Sequence, residues 1–368
     1  MQCGYFDAGV CRSCTLMGVD YRDQLAAKQA ECAALVETTW LPPFASDESG
    51  FRSKAKLAVG GTVAAPTLGI LDREYRGVDL RDCGIHTPGI RAAIPRLATF
   101  IAEAGLTPYD IAARAGELKH VLVTESPDGE LMVRFVLRSA ALEPAIRAAL
   151  PALTADLPIR VASVNLLPAH AALLEGDTET VLTAEATLPM GIGPLTLHLG
   201  VRSFFQTNLP VAAGLYAQAA EWTERAAPET AWDLYCGVGG FSLAIAGSGR
   251  TVLGVETSTE AIASARRSAA EAGVASAEFR VGDATQFALD SDAHPDLVIV
   301  NPPRRGLDAR LCDWLDGSGV RSVIYSSCNP TSLARDLARM PSFAVREGRV
   351  FDMFPQTAHC EVMVLLDR

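Results

Sequence analysis

The chain contains 368 residues, which is long enough for two or three domains with separate cores. Hydrophobic residues make up 49% of it and charged residues 20%, an ordinary balance for a globular protein. The formal net charge of −11 argues against a general nucleic-acid binder, although it is compatible with an enzyme that uses a local basic groove.

Neither a membrane span nor a secretion signal is evident in the sequence. No apolar run reaches bilayer length, and the first residues lack the basic and apolar regions of a signal peptide. We therefore expect a cytoplasmic protein without membrane contact, and no obligate protein partner is indicated. Nine cysteines, an odd number, favour metal-binding or catalytic roles over a disulfide framework.

Three cysteines cluster at the amino terminus. Cys3, Cys11 and Cys14 form the pattern C-x7-C-x2-C, and Cys83 is a remote fourth. Four thiolates suit either tetrahedral zinc or an iron–sulfur cluster, and the spacing does not separate the two. The alternative is a set of unpaired thiols in a frayed terminus. Cys32 lies within a predicted helix and is interpreted as a core residue.

The middle of the chain predicts a small α+β domain. A helix near residues 23–30 and a loop at 42–50 are followed by strands, two further helices and more strands. No catalytic motif occurs there, so only its position makes it a candidate for holding the substrate. The predicted strands are 55–59, 66–71, 120–124, 131–137, 160–165 and 180–182, and the predicted helices are 90–104 and 142–150.

Basic residues alternate at the start of the first of these strands. Arg52, Lys54 and Lys56 are spaced so that their side chains share one face of the strand. A solvated sheet edge and a contact with RNA phosphates are both compatible with this pattern.

From about residue 200 the pattern changes to that of a nucleotide-binding α/β domain. A helix over 212–225 precedes a strand over 230–235, which runs into a D-x-x-C-G-x-G-G turn and another helix. Three later strands end in polar residues, at Glu256, Asp283 and Asn301. Strand ends that meet in this way predict one crevice shaped for adenosine, with a dinucleotide site as the rival. The absence of a P-loop argues against nucleotide hydrolysis.

The residue that most strongly suggests catalysis is Cys328. It follows a predicted strand at 322–325 and precedes a helix capped by Asn329 with Pro330 at its first position. The positive end of that helix is expected to favour the thiolate, which is a nucleophile. The alternative is a buried cysteine with a packing role.

Four stretches carry most of the distinctive chemistry. They are DLYCGVGGF at 233–241, NPPRRG at 301–306, SSCNP at 326–330 and FPQTAHCE at 354–361. Together they are similar to motifs of the RNA 5-methyluridine methyltransferases, which use S-adenosylmethionine (SAM). The four cysteines match the members that bind a [4Fe-4S] cluster. A cluster beginning at residue 3 leaves no room for the amino-terminal β-barrel of the uracil-1939 enzymes, and the tRNA enzymes lack the cluster. The resemblance therefore implies 23S rRNA as the partner, with uridine 747 as the target.

The resemblance also implies the fold. We expect an α/β protein with a class I (Rossmann-like) SAM-dependent methyltransferase domain at the carboxyl terminus. A smaller α+β domain with an amino-terminal iron–sulfur segment is expected to precede it. The expected boundaries are 1–90 for the cluster segment, 91–199 for the RNA-holding domain and 200–368 for the catalytic domain.

Site residues follow from the matched motifs. Cys328 would be the nucleophile and Glu361 the base, while Cys3, Cys11, Cys14 and Cys83 would hold the cluster. Two positions depart from the family pattern: Gln356 replaces a frequent His, and Asn301 replaces a frequent Asp, so any role that needs a carboxylate at 301 is in doubt. The expected contacts of SAM are Gln206, Tyr235, Glu256, Asp283 and Asn301.

The implied chemistry requires both catalytic groups. Uracil C5 is a poor nucleophile until a thiolate adds at C6, and a general base must later remove the C5 proton from a flipped base. A 5-methylcytosine enzyme would need a second cysteine in the 301–304 turn, which has none. A non-catalytic RNA-binding protein with a cluster would need neither Cys328 nor Glu361. Arg304 and Arg305 are interpreted either as contacts for phosphate or uracil or as a solvated turn.

Overall fold

A computed structural model describes residues 1–368 and divides into two compact units. Unit 1 comprises residues 1–12 and 49–190, and unit 2 comprises residues 13–48 and 191–368. The expected domains follow chain order, whereas each unit contains two separate chain segments. Residues 13–48 belong to unit 2 because their helix and short strand pack on its sheet, where Thr39 and Trp40 pair with Glu347 and Gly348.

The chain folds into α-helices and strands that alternate regularly in its carboxyl-terminal half. The helices are α1 (Gly4–Asp7), α2 (Tyr21–Leu35), α3 (Pro88–Glu103), α4 (Glu143–Asp156), α5 (Leu209–Ala226), α6 (Gly240–Ile245), α7 (Thr259–Glu271), α8 (Ala284–Asp290), α9 (Ala309–Gly317) and α10 (Pro330–Leu337). The strands are β1 (Thr39–Trp40), β2 (Lys54–Gly61), β3 (Pro66–Leu71), β4 (Gly77–Asp79), β5 (Leu118–Glu125), β6 (Leu131–Leu137), β7 (Ile159–Leu166), β8 (Thr178–Val181), β9 (Thr187–Ile192), β10 (Leu195–Gly200), β11 (Thr230–Leu234), β12 (Thr251–Glu256), β13 (Ala277–Val281), β14 (Leu297–Val300), β15 (Ser322–Ser327), β16 (Ala344–Phe351) and β17 (Glu361–Asp367).

Unit 1 is built on a seven-stranded sheet in the order β4-β3-β2-β5-β6-β7-β8. Alternate residues of these strands, such as Leu57, Val121 and Phe135, are buried in one core with apolar residues of α3 and α4. Lys54 and Lys56 occupy the intervening positions of β2 and lie outside that core, as the alternation predicts.

Unit 2 is built on an eight-stranded sheet in the order β1-β16-β17-β15-β14-β11-β12-β13. All its strands run parallel except β17, which is antiparallel to both β15 and β16. The chain passes from β11 outward to β12 and β13 and then returns to β14 on the other side. The strand order therefore reverses between β11 and β14, where open α/β sheets bind ligands.

Most predicted elements are present, with some differences. The strand expected to end at Asp283 ends at Val281, because the Asp283 side chain instead accepts a hydrogen bond from Gln286 N and caps α8. The elements that were not predicted are the strands β1, β4, β9, β10 and β16 and the helices α1, α7, α8 and α9. Strands β9 and β10 form a separate two-stranded sheet. No helix combines the length and apolar composition needed to cross a membrane.

Candidate active site

The glycine-rich turn after β11 opens the crevice in unit 2. Tyr235 adopts a left-handed φ of 73°, and its backbone N–H and that of Cys236 both donate to Val255 O at 3.0 Å. Few non-glycine residues adopt this conformation, so the turn is strained where a ligand would approach. Gly239 also has a positive φ, 87°, and a side chain there would press against the ring of Phe279.

The buried carboxylate of Asp233 stabilises this turn. Ser242 donates to Asp233 Oδ2 through its backbone N–H at 2.9 Å and its hydroxyl at 2.6 Å. Burial raises the pKa of Asp233 to about 6, and the nearby Glu256 carboxylate raises it as well. The other oxygen, Oδ1, is buried without a hydrogen-bond partner. Asp233 lies in the 233–241 motif, but the sequence alone assigns it no role.

The expected SAM contacts lie at the carboxyl ends of the strands or beside them. Glu256 ends β12, where its Oε1 accepts from Thr257 Oγ1 at 2.8 Å and Ser258 N at 2.9 Å. Asn301 directly follows β14, and Asp283 follows β13 as the cap of α8. Burial raises the pKa of Tyr235, and the charge of Asp283 raises it further, so these two side chains are close. Gln206 is buried before α5.

Cys328 lies directly after β15 and is half-buried. Asn329 caps α10 as predicted, since its side chain accepts from Thr331 N at 3.1 Å and Ser332 N at 3.4 Å. The amino terminus of α10 was expected to lower the pKa of Cys328, but other contributions to this pKa outweigh it. Burial raises the pKa of Cys328, the Glu361 carboxylate raises it further, and the Arg304 guanidinium only partly opposes them. The prediction that the helix terminus lowers the pKa of Cys328 is therefore wrong, because burial and the Glu361 carboxylate outweigh it.

Glu361 is the first residue of β17 and is 2% exposed. Ser326 Oγ donates to Glu361 Oε1 at 2.6 Å. Burial raises the pKa of Glu361 to about 7, and the hydrogen bond from Ser326 opposes that rise. A carboxyl group poised near neutral pH is suited to general-base catalysis. Ser326 lies in the 326–330 motif without a role predicted from sequence, because its position beside Glu361 depends on strand pairing.

Antiparallel pairing brings the two predicted catalytic residues to one place. Ser327 pairs with Val362, the last pair of this ladder, so Cys328 and Glu361, the next residue on each side, lie at the same end of it. Their electrostatic coupling agrees with this placement. The sheet therefore presents a thiol and a buried carboxylate at the same edge of the crevice.

The 301–306 loop is hydrogen-bonded to α10 and its cap. Asn329 Nδ2 donates to Arg304 O at 3.2 Å, and Arg335 donates to Arg305 O at 2.7 Å. Gly306 has a φ of 86° and packs so closely on Asp336 that a side chain would collide with it. Both Arg304 and Arg305 are exposed, which leaves their charges available to a ligand.

The four amino-terminal cysteines are divided between the units. Cys3, Cys11 and Cys83 belong to unit 1, and Cys14 belongs to unit 2. Burial raises the pKa of Cys83, and the charges of Cys11 and Cys3 raise it further. Tyr5 OH also accepts from Asp82 N at 3.2 Å, which ties the Cys83 loop to α1. However, no group of three or more His, Cys, Asp or Glu side chains is placed as a metal site in the structure. Cys32 is 1% exposed, as expected of a core residue.

Sequence comparison identifies the family. A family model described as tRNA (uracil-5-)-methyltransferase matches residues 184–368. A protein of Halothiobacillus neapolitanus named 23S rRNA (uracil(747)-C(5))-methyltransferase RlmC is 48% identical over 378 residues, covering 100% of both chains. The protein of the same name from Citrobacter koseri is 45% identical, again covering 100% of both. The chain belongs to the tRNA (uracil-5-)-methyltransferase family.

A solved structure of this family supports the fold over nearly the whole chain. The tRNA (uracil-54, C5)-methyltransferase of Pyrococcus abyssi, in complex with S-adenosyl-L-homocysteine, superposes with a TM-score of 0.81 and 28% sequence identity. The match covers 96% of this chain and 85% of that one. The expected class I SAM-dependent methyltransferase fold is thus confirmed, and the chain is a methyltransferase.

Proposed function

We propose that the protein transfers the methyl group of SAM to C5 of a specific uridine in 23S rRNA, uridine 747. Full-length relatives at 48% and 45% identity carry that name and support the target. The observation that supports the chemistry is that Cys328 and the buried Glu361 lie at the same end of the β15–β17 ladder, where the Glu361 carboxylate raises the pKa of the Cys328 thiol. The proposed rRNA substrate agrees with the expected cytoplasmic location.

The two residues perform successive steps. Cys328 loses its proton, with the Arg304 charge favouring the thiolate, and adds through Sγ to C6 of the uracil. The resulting enolate attacks through C5, and SAM supplies the methyl group. Glu361 as a carboxylate then removes the remaining C5 proton, and the electron pair expels Cys328 from C6. Methylated uridine, S-adenosyl-L-homocysteine and the Cys328 thiolate result, with the C5 proton on Glu361 and the proton first lost by Cys328 in the solvent.

The crevice supplies the groups that would orient SAM and the base. Gln206, Tyr235, Glu256, Asp283 and Asn301 are proposed to contact SAM, because they line consecutive strand ends or the buried stretch before α5. Phe204 exposes 75% of its surface two residues before Gln206 and offers a stacking surface for an unstacked base.

Unit 1 is proposed to hold the RNA. Lys54 and Lys56 project from the face of β2 opposite its hydrophobic core. Burial lowers the pKa of Lys54 to about 8, and the nearby charges of Lys56 and Arg134 lower it further. Arg134 is ion-paired with Glu175 and Glu179, and Glu175 opposes the shift at Lys54. Lys54 and Lys56 are therefore the cations proposed to bind phosphate, and they provide a local basic surface on a chain of net charge −11.

A [4Fe-4S] cluster held by Cys3, Cys11, Cys14 and Cys83 is the second part of the proposal. The charges of Cys3 and Cys11 influence the pKa of Cys83, which supports it, and thiolates are the ligands that such clusters require. No catalytic step is assigned to the cluster. The expected role is to tie distant chain segments together.

Methylation of defined transcripts tests the proposal directly. Purified protein with SAM should methylate a 23S rRNA fragment that contains uridine 747 and leave a fragment with cytidine at that position unmodified. A tRNA with uridine 54 is the alternative substrate, because that is the target named for the Pyrococcus abyssi relative. Mass spectrometry of rRNA from a deletion strain should reveal the loss of one 5-methyluridine. Methylation of tRNA alone would replace the proposed substrate, and methylation of neither would reject it.

A further inference from the structure

Helix α2 buries polar residues instead of an apolar face. Its buried residues are Gln24, Lys28 and Cys32, whereas Leu35 is 41% exposed. Their spacing of four places them on one stripe of the helix. Burying an amide and an ammonium group costs free energy unless each finds a specific partner, so the stripe needs an explanation beyond core packing.

Gln24 Nε2 donates to Leu16 O and Val19 O just before the helix. The other partners of this stripe lie on residues 352–360, which we call the base loop because this segment leads directly into Glu361. Lys28 Nζ lies 2.6 Å from Asp352 Oδ1, with the two side chains 2% and 0% exposed, and donates to Phe354 O at 3.2 Å. Further along, Cys32 and Cys360 are buried in the same hydrophobic cluster, and the influence of Cys32 together with burial raises the pKa of Cys360. Helix α2 thus contacts both ends of the base loop.

The centre of the base loop is held in the same way. Gln356 has a left-handed φ of 67° and is 1% exposed. Its N–H donates to Gln24 Oε1 at 3.0 Å, its C=O accepts from Leu16 N at 2.9 Å, and its Nε2 donates to Glu48 Oε2 at 2.9 Å. Gln24 Nε2 donates in return to Gln356 Oε1 at 3.2 Å. The strained conformation is therefore stabilised entirely by residues 16–48.

From these contacts we infer that Gln24 and Lys28 are positioning residues for Glu361. The inference rests on the proposed role of Glu361 as the base. Glu361 itself pairs with Phe351 of β16, and Ser326 donates a hydrogen bond to its carboxylate. The base loop therefore acts on Glu361 through the backbone that enters β17. A buried ion pair is a weak source of stability but a specific constraint on geometry. Because a general base must come within hydrogen-bond reach of its proton, a small displacement of this loop slows proton removal specifically.

Tritium release from RNA with [5-³H]uridine at the target separates positioning from stability. In the wild type, methyl incorporation and tritium release should coincide. Lys28→Met leaves Asp352 buried and unpaired, so the informative variant is Lys28→Met with Asp352→Asn, which removes both charges. We expect that double variant to fold and to incorporate methyl in a first turnover, while releasing tritium about 10-fold or more slowly. Methylated RNA should meanwhile accumulate covalently on Cys328.

Glu31→Gln is the matched control, because Glu31 is exposed on the same helix. It should leave both signals unchanged. A double variant that slows methyl incorporation and tritium release equally, or changes neither, overturns the inference. A wild type that incorporates no methyl and releases no tritium rejects the proposed function instead. Gln24→Ala provides an independent test and should separate the two signals in the same direction.

Discussion

The Ser326 hydroxyl donates a 2.6 Å hydrogen bond to the Glu361 carboxylate, one strand away from it and two residues before Cys328. It is the only hydrogen bond that lowers the pKa of Glu361 against the effect of burial. Strand β15, which leads into Cys328, thus also lowers the pKa of Glu361 through Ser326. Substitutions at this pair and at the groups around it should therefore change separate steps of the reaction.

Replacing Glu361 by Gln should trap the reaction. The shape is kept but the proton acceptor is lost, so Cys328 can add and the methyl group can transfer while elimination stalls. A heat-stable complex of protein and methylated RNA should appear as a shifted band on a denaturing gel. The band should vanish in the variant that combines Glu361→Gln with Cys328→Ala. Release of methylated RNA at the wild-type rate by Glu361→Gln would make His359 the next candidate base.

The rate of proton removal should rise with pH around 7. The pKa of Glu361 is about 7, and only its charged form accepts a proton, so tritium release increases as pH passes upward through that value. Ser326→Ala removes a contact that lowers this pKa and should move the rise to higher pH.

The same raised pKa means that Glu361 favours the folded state at low pH and loses that contribution as pH rises from about 4.5 to about 7. Thermal melts of Glu361→Gln and the wild type at pH 5 and pH 8 check this sign.

Cys328→Ser should bind SAM with near-normal affinity and lose methyl transfer. The proposed cofactor contacts lie on other strand ends, and a hydroxyl does not supply the needed anion at neutral pH. Calorimetry measures the binding, and incorporation of labelled methyl measures the transfer. Near-normal turnover by this variant would exclude covalent catalysis through Cys328.

Alkylation of Cys328 should report its two charged neighbours with opposite signs. Arg304 lowers the pKa of this thiol and Glu361 raises it. Arg304→Ala should therefore slow the reaction of Cys328 with iodoacetamide at pH 8, and Glu361→Gln should speed it. Mass spectrometry of the peptide that contains Cys328 follows the rate separately from the other cysteines. Arg305→Ala serves as the control, since Arg304 and not Arg305 lowers this pKa.

Protein purified without oxygen should be brown and contain iron and sulfide. Cys83→Ala should lower the melting temperature more than it lowers the rate per folded molecule, because a cluster ties distant segments together. Elemental analysis and absorbance spectra check the first expectation, and melting curves with single-turnover rates check the second. Colourless protein with one zinc per chain would replace the cluster by a zinc site and leave the proposed methyltransferase chemistry intact.

The sequence alone determined the features that depend on neighbouring residues. The Asn329-Pro330 helix start, the glycine turn after β11 and the polar ends of β12 and β14 follow from local rules of capping, backbone freedom and strand patterning. The family motifs at 233–241 and 326–330 likewise reside in short stretches. For that reason the fold class and the candidate nucleophile and base could be predicted from the sequence.

Only the tertiary structure decided what depends on contacts between distant residues. The raised pKa of Cys328 arises from burial and from Glu361, which lies on a different strand. The helix terminus alone therefore predicted the wrong direction of this pKa shift. The placement of Ser326 beside Glu361 requires the antiparallel β15–β17 ladder. The polar stripe of α2 gains its partners 324 and 332 residues further along the chain, at Asp352 and Gln356. Burial and charge act through space, so no local pattern encodes them.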